Sequence, residues 1–429
     1  FIVGLYVFLR DIHPAGAALA AIAAAGLQFF YVATNAYAEP YMLLLFLLAI
    51  VAGKALPVRF PLKQEHLLAG IFTGGACGCK FTAVIQILPV VALFILVLHT
   101  CRFRRLFLFL VTVLAVLSPW LLRNTAWRGN SVFPIAARQL GQDHWSDEQV
   151  QRWQAAHRAK PDQTSPDQTA LPQRLKSLAV ELISPSRYGF AVLLALAVIL
   201  TGIKKPFTPI EYLVIAALAI QLAVWLFLTH LQPRFLLPLL IPLVLLTASR
   251  FEAVAPPPLR YLVILFAIAA ASAHTLLAAG RYNQNTSFNS PYGFHPLAGW
   301  DQLIESQYPF ANSETTIEPG TRLLMVGDAR PFYVRCEYAY NTVFDRCYFA
   351  EHLAEKSPAE VIDWLQEENF THLYINWYEV ERLQKSYQFA PSLTRQNIEK
   401  LEQAGLIPLS SAEWQAIDSH YRLYRIPPR

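Results

Sequence analysis

The sequence predicts a multi-span α-helical membrane bundle followed by a small soluble α/β domain. Three observations carry that expectation. Of 429 residues, 55% are hydrophobic and only 15% charged, with a mean hydropathy of +0.33; this is the composition of a membrane protein. The apolar residues fall in long runs separated by short basic loops. The charge divides near residue 280: residues 1–280 hold 22 Lys or Arg against 11 Asp or Glu, and residues 281–429 hold 13 against 19. A basic body of spans (1–280) and an acidic extracytoplasmic domain (281–429) follow. Basic residues in short loops mark membrane topology and give no reason to expect a nucleic-acid partner.

Taken in order, the chain opens FIVGLYVFLR, inside an apolar run and without a signal peptide. It reads as part of a longer protein that carries earlier helices. Pro14–Tyr31 is an Ala- and Gly-rich span, a composition that lets helices pack closely. Pro40–Ala52 follows, then a basic loop with Lys54, Arg59 and Lys63. Leu67–Cys101 is too long for one crossing and carries Lys80 near its middle, so it reads as two short spans meeting at one face. Arg102, Arg104 and Arg105 precede the span Leu106–Leu122. A long outer loop, 123–186, holds an amphipathic segment at Asp147–His157 and the polar stretch KPDQTSPDQTALPQ. Four further spans are expected at Tyr188–Gly202, Ile210–Leu228, Phe235–Ser249 and Tyr261–Gly280. That makes nine spans and a partial one in an inner or plasma membrane. All the basic clusters, Lys204/Lys205 and Arg250/Arg260 included, then fall on the cytoplasmic side.

In the tail, RLLMVGD and THLYINW read as buried strands, NTVF as a possible short strand and YRLYRIP as an edge strand. Ser357–Phe370 and SLTRQNIEKLEQAGL read as helices, the first with a Ser N-cap. The alternation predicts a partly parallel sheet. Gly327 stands alone, and no phosphate-binding GxGxxG is present. Cys336 and Cys347 are either a disulfide or two free thiols. Cys77-Gly-Cys79 lacks the spacing of a zinc site.

Four charged features lie on the outer side, where basic residues are unexpected. Glu39, in TNAYAEPY, is a surface carboxylate suited to a divalent cation or a sugar hydroxyl. Lys80, in GCKFTA, is a point charge beside a low-dielectric wall, suited to an anionic head group. SPWLLRNTAWRGNSVFP sets Arg123 and Arg128 just outside a span, with Asn124 and Asn130 as polar contacts and Pro119 expected to break or kink the helix end. Arg234 begins a span whose prolines prevent a regular helix, and His230 reads as a loop histidine. One acid and three or four bases around one cavity suit an anionic lipid carrier. A proton relay would need several buried carboxylates.

AYAEP with its apolar run, GIFTGGACGCKFTA, SPWLLRNTAWRGNSVFP and QPRFLLPLLIP occur in this order within roughly residues 1–250. The pattern resembles the GT-C superfamily of integral-membrane glycosyltransferases, near the family 39, protein-mannosyltransferase and aminoarabinose-transferase group. The resemblance implies a polyprenyl-phosphate-linked sugar as donor, transfer at the extracytoplasmic face, and inversion at the anomeric carbon. It implies that Lys80 and Arg234 hold the carrier phosphate, that Arg123 and Asn124 line the same cavity, and that Glu39 matches the acidic residue of the second outer loop. The main catalytic acid of such enzymes lies in the first outer loop, ahead of Phe1. A transporter or flippase of lipid-linked sugars, another outer-face enzyme using such lipids, and a member that only binds would share the basic cavity.

Overall fold

The computed structural model describes residues 2–10, 14–24, 29, 32–33, 37–53, 64–157, 171–184, 187–201, 205–251, 257–285, 320–331, 334, 336–409 and 420–429. Lys54, Arg59, Lys63, Lys204 and most of the KPDQTSPDQTALPQ stretch lie outside them. The chain divides into two units: 1–141 with 157–282, and 142–156 with 283–429.

The first unit is helical. Leu67–Cys101 folds as expected around a break at Lys80. Helix Glu65–Cys79 ends there, and Lys80 leaves it in extended geometry (φ −155°, ψ 121°). A short turn, Ala83–Gln86, and helix Leu88–Leu98 follow. Helix Arg102–Arg128 outruns its expected end at Leu122, continuing through Pro119 to a left-handed cap at Gly129. The polar loop therefore starts later than the composition suggested, and Arg123 lies on a helix. Among the described residues three helices are long and apolar enough to cross a membrane: Arg102–Arg128, Pro209–Leu228 and Pro233–Phe251. Of the others expected to cross, Pro257–Asn285 runs 29 residues with an apolar stretch at Arg260–Ala270, and several are shorter. Glu39–Ala52 has 14 residues, about 21 Å at 1.5 Å per residue against a hydrocarbon layer of ~30 Å.

The prolines of QPRFLLPLLIP act as the sequence predicted. Pro233–Leu239 is a 3-10 helix, and regular α-helix begins only at Leu240–Phe251. This stretch is the most buried of the three long helices. At its far end Arg250 is 1% exposed. Its guanidinium donates to the carbonyls of Lys205 and Pro206, sits 3.5 Å from Glu211, and covers the Phe207 ring. Arg250 and the main chain of Lys205 thus meet at one end of the unit. Arg250 is nonetheless a buried structural cation, where the sequence suggested a solvated loop charge.

Close helix approach rests on glycine. Gly70 and Gly74 lie one turn apart on Glu65–Cys79 and face Arg102–Arg128. A Cβ on Gly74 would come within 2.7 Å of Val116 Cβ and 2.9 Å of the Val113 carbonyl. This is the small-residue stripe that lets membrane helices touch along their backbones.

The second unit is a five-stranded sheet in the order β2-β1-β3-β5-β4, with strands β1 (Arg322–Val326), β2 (Glu337–Tyr340), β3 (His372–Asn376), β4 (Ile407–Pro408) and β5 (Tyr421–Arg425). β1 pairs parallel with β2 and β3; β5 pairs antiparallel with β3 and β4. β3 is buried along its whole length, which explains its unbroken apolar run. YRLYRIP, expected at an edge, lies inside the sheet, but β4 covers it over only two residues. NTVF follows β2 as a turn rather than forming a strand. Helices Tyr348–Glu355 and Trp377–Tyr387 were not foreseen. Ser357 caps Pro358–Glu367 through a capping box with Glu360. Gly327 closes β1 at φ +80°, where a Cβ would strike Val380 and the Asn376 carbonyl.

Helix Asp147–Ala156, the amphipathic segment of the long loop, belongs to this unit. Gln149 donates to the Phe344 carbonyl at 2.8 Å, and Trp145 packs on the Phe344 ring. Cys336 and Cys347 are free thiols. They pack on opposite faces of the sheet, Cys336 beside Leu323 and Met325, Cys347 beside Val326 and Phe349. Burial pushes the Cys347 thiol up to about 11.

Overpacking at a backbone contact of this kind costs about 1–3 kcal/mol. Gly74→Ala should lower the unfolding midpoint of the detergent-solubilised protein accordingly. Gly78→Ala, whose Cβ meets nothing within 4 Å, should leave it unchanged or raise it slightly. Equal midpoints for the two variants would refute the close approach.

Candidate functional site

The site is assembled from three segments that the sequence places far apart. Glu39 is the first residue of Glu39–Ala52, where a carboxylate complements the positive end of the helix. Lys80 caps the C-terminus of Glu65–Cys79, and its departure from helical geometry carries the side chain off the helix. Arg234 is the second residue of the 3-10 helix.

These three side chains meet. The Lys80 ammonium donates to Glu39 Oε1, and Arg234 Nε lies 3.8 Å from the same oxygen. Two rings wall the group. Lys80 Nζ stands 4.3 Å from the centroid of Phe235, and the Arg234 guanidinium 4.8 Å from that of Tyr37. The site thus carries two cations against one carboxylate. Burial is uneven: the Glu39 side chain is 2% exposed, Lys80 20% and Arg234 33%. An anion arriving from solvent meets the cations first. Arg234 Nε is buried against Glu39 without a hydrogen bond, and the cluster as a whole keeps an excess of positive charge on its more exposed side.

The other predicted residues take different places. Asn124 is buried on the face of Arg102–Arg128 that also carries Phe109, Val113 and Leu117. One turn earlier on that helix Trp120 stacks on Phe81, the neighbour of Lys80, with centroids 5.2 Å apart. This face therefore passes beside the Lys80 junction. Arg123 is exposed; its guanidinium donates to Asn124 Oδ1 at 3.2 Å and lies over the Trp127 ring, both on its own helix. Asn130 serves its own loop. It donates to the Ile135 and Gly141 carbonyls and accepts from the Val132 amide. A role for Asn130 in the cavity is not what these bonds describe. His230 packs edge-on against Phe235 and His157.

Glu39 has its carboxylate between two cations, a poor setting for a divalent metal. Among the described residues no group of three or more His, Cys, Asp or Glu could hold a metal ion. Sequence reading missed the ring walls Tyr37 and Phe235, and it missed two buried amides, Gln86 and Gln221. The signal for the amides was present, since each interrupts an apolar run as Lys80 does.

Residues 15–241 match the profile of DUF8201, a domain of unknown function. The chain belongs to this family. The DUF8201 match spans Glu39, Lys80 and Arg234 and ends before the sheet of the second unit. No curated protein and no solved structure matches the chain at a significant level.

Removing one partner of a buried ion pair leaves uncompensated charge. Because the two cations keep some solvent, Glu39→Gln in this DUF8201 domain should cost about 2 kcal/mol of stability. Chemical unfolding of the full chain measures this; a stability equal to wild type would show that the carboxylate does not hold the pair together.

Proposed function

We propose that this chain transfers a sugar from a polyprenyl-phosphate-linked donor to an acceptor at the outer face of a membrane. The carrying observation is the Lys80–Glu39–Arg234 cluster: two partly exposed cations, joined by a sealed carboxylate, at one end of an apolar helical unit. Three helices among the described residues that are long and apolar enough to cross a membrane, together with the basic loops at the other helix ends, support an integral-membrane location. On the same topology the C-terminal sheet is extracytoplasmic.

The chemistry suits the residues. A phosphate-linked sugar brings its own leaving group, and negative charge grows on that phosphate as the glycosidic bond breaks. Fixed Lys and Arg donors in a water-poor setting stabilise such charge better than solvent does. The rings of Tyr37 and Phe235 keep water from the donors' flanks and offer an apolar approach for the first carbons of the prenyl chain. The acceptor hydroxyl must also lose a proton, which calls for a carboxylate. Glu39 has its buried oxygen committed to Lys80 and Arg234. We therefore assign it to holding the cations and assign the base to a different carboxylate. The resemblance to GT-C enzymes puts that acid in the first outer loop.

Lys80→Ala and Arg234→Ala in the full-length protein should each lower consumption of a polyprenyl-phosphate sugar by about 10²–10³-fold, the loss seen when one charge-stabilising donor is removed. Turnover unchanged in both variants would sink the reading. The topology has a separate check. A reporter fused after Arg429 should read as extracytoplasmic, and a cytoplasmic signal overturns the arrangement.

A further inference from the structure

The main chain just after Arg234 lacks one partner that a helix would normally supply, whereas the Gln232 carbonyl before it accepts from the Phe235 amide at 3.0 Å. In a 3-10 turn the carbonyl of Phe235 is met by the amide of residue 238. Residue 238 is proline and has no N–H. That carbonyl instead accepts from Gln86 Nε2 at 2.7 Å. Two further side chains act on the same short stretch. Tyr188 Oη donates to the Pro233 carbonyl at 2.6 Å, and Trp225 Nε1 donates to the Gln232 carbonyl at 3.0 Å. Gln221 in turn donates to the main-chain carbonyl of Gln86 at 2.5 Å. All four side chains are buried. Carbonyls on both sides of Arg234 are thus tied to three separate parts of the helical unit.

Gln86 carries a cost that an apolar residue would not. Its Oε1 is buried with no hydrogen-bond partner, which is unfavourable in an apolar surrounding. A side chain that only filled space would be better as Met or Leu. Its donor is what the site uses.

We propose that Gln86, Tyr188 and Trp225 are positioning residues, which hold the main chain of 232–235 so that the Arg234 guanidinium stays in register with Lys80 and Glu39. The inference rests on the phosphate-binding reading of that cluster. None of the three touches the phosphate; they act through Arg234. The arrangement replaces an amide that proline cannot supply, and it allows the proline-rich segment to present a cation without fraying.

The test uses the full chain in detergent, titrated with farnesyl phosphate and separately with the neutral alcohol farnesol. Gln86→Met keeps length and bulk but removes the donor, and Tyr188→Phe removes only a hydroxyl. Each should weaken farnesyl phosphate about five- to tenfold, the worth of one hydrogen bond, while farnesol binding stays at its wild-type level. In the double variant Gln86→Met/Pro238→Ala the backbone regains its own amide, and affinity should return toward wild type. Wild-type affinity for farnesyl phosphate in both single variants overturns the proposal. So does a parallel loss of both ligands, which reports damaged packing, and so does a double variant no better than Gln86→Met alone. Failure of the underlying reading looks different: Lys80→Ala and Arg234→Ala would then bind farnesyl phosphate as wild type does.

Discussion

One carboxylate holds the candidate site together. Glu39, Lys80 and Arg234 come from segments 41 and 154 residues apart, and each alone would be costly among apolar neighbours. A cation near an apolar wall needs a counter-charge, and a carboxylate buried to 2% exposure needs more than one donor. The cluster answers both needs at once. It also fixes where three helix ends must meet: the start of Glu39–Ala52, the end of Glu65–Cys79 and the 3-10 turn before Leu240–Phe251. The glycine contacts of Glu65–Cys79 with Arg102–Arg128 then bring the Asn124 face past the same junction. Packing at one point of the unit and charge at another are two aspects of one arrangement.

Much of this was legible from residue types. Lys80 stood out because a lysine inside an apolar run must be explained. The same logic applies to Gln86 and Gln221, yet an amide carries no formal charge and draws less notice in hydropathy. The proline pattern of QPRFLLPLLIP announced an irregular helix, and the structure has one. What composition could not set was where a polar side chain spends its bonds. Asn130 and Arg250 read as site and loop residues; one organises a turn and the other a buried ion pair. Side-chain chemistry is visible in a sequence, whereas partner choice depends on which backbone groups the fold leaves unmet.

Element ends were the other weak point, again for physical reasons. Arg102–Arg128 runs past its apolar stretch because a helix, once nucleated, continues through polar residues until a cap stops it. Here the stop is Gly129 in left-handed geometry. YRLYRIP read as an edge-like closing strand; Arg422 and Arg425 are both exposed, on opposite faces of β5, and such polarity says nothing about neighbours on either side. Helix Trp377–Tyr387 was hidden because its first residue completes the apolar run of β3, and Asn376 caps it at once. Strand and helix share a junction with no loop between them to mark the change.

A bare pair of cations would bind phosphate too, so the presence of Glu39 needs a physical reason. Without it, Lys80 and Arg234 would repel one another and seek separate solvent, and any ligand would have to bring them together. With Glu39 between them they are already gathered, and binding an anion does not have to pay again for ordering two long side chains. The carboxylate lowers the attraction for an incoming phosphate but removes most of the reorganisation. Preorganised charge of this kind stabilises developing negative charge without rearranging at the moment of reaction. The same reasoning explains why the main chain beneath Arg234 is held from three sides. A guanidinium fixed at its tip by one carboxylate can still swing if its backbone moves, and in a proline-rich 3-10 turn the backbone has few bonds of its own. Constraint at both ends of the side chain is what converts an excess of charge into a defined receptor.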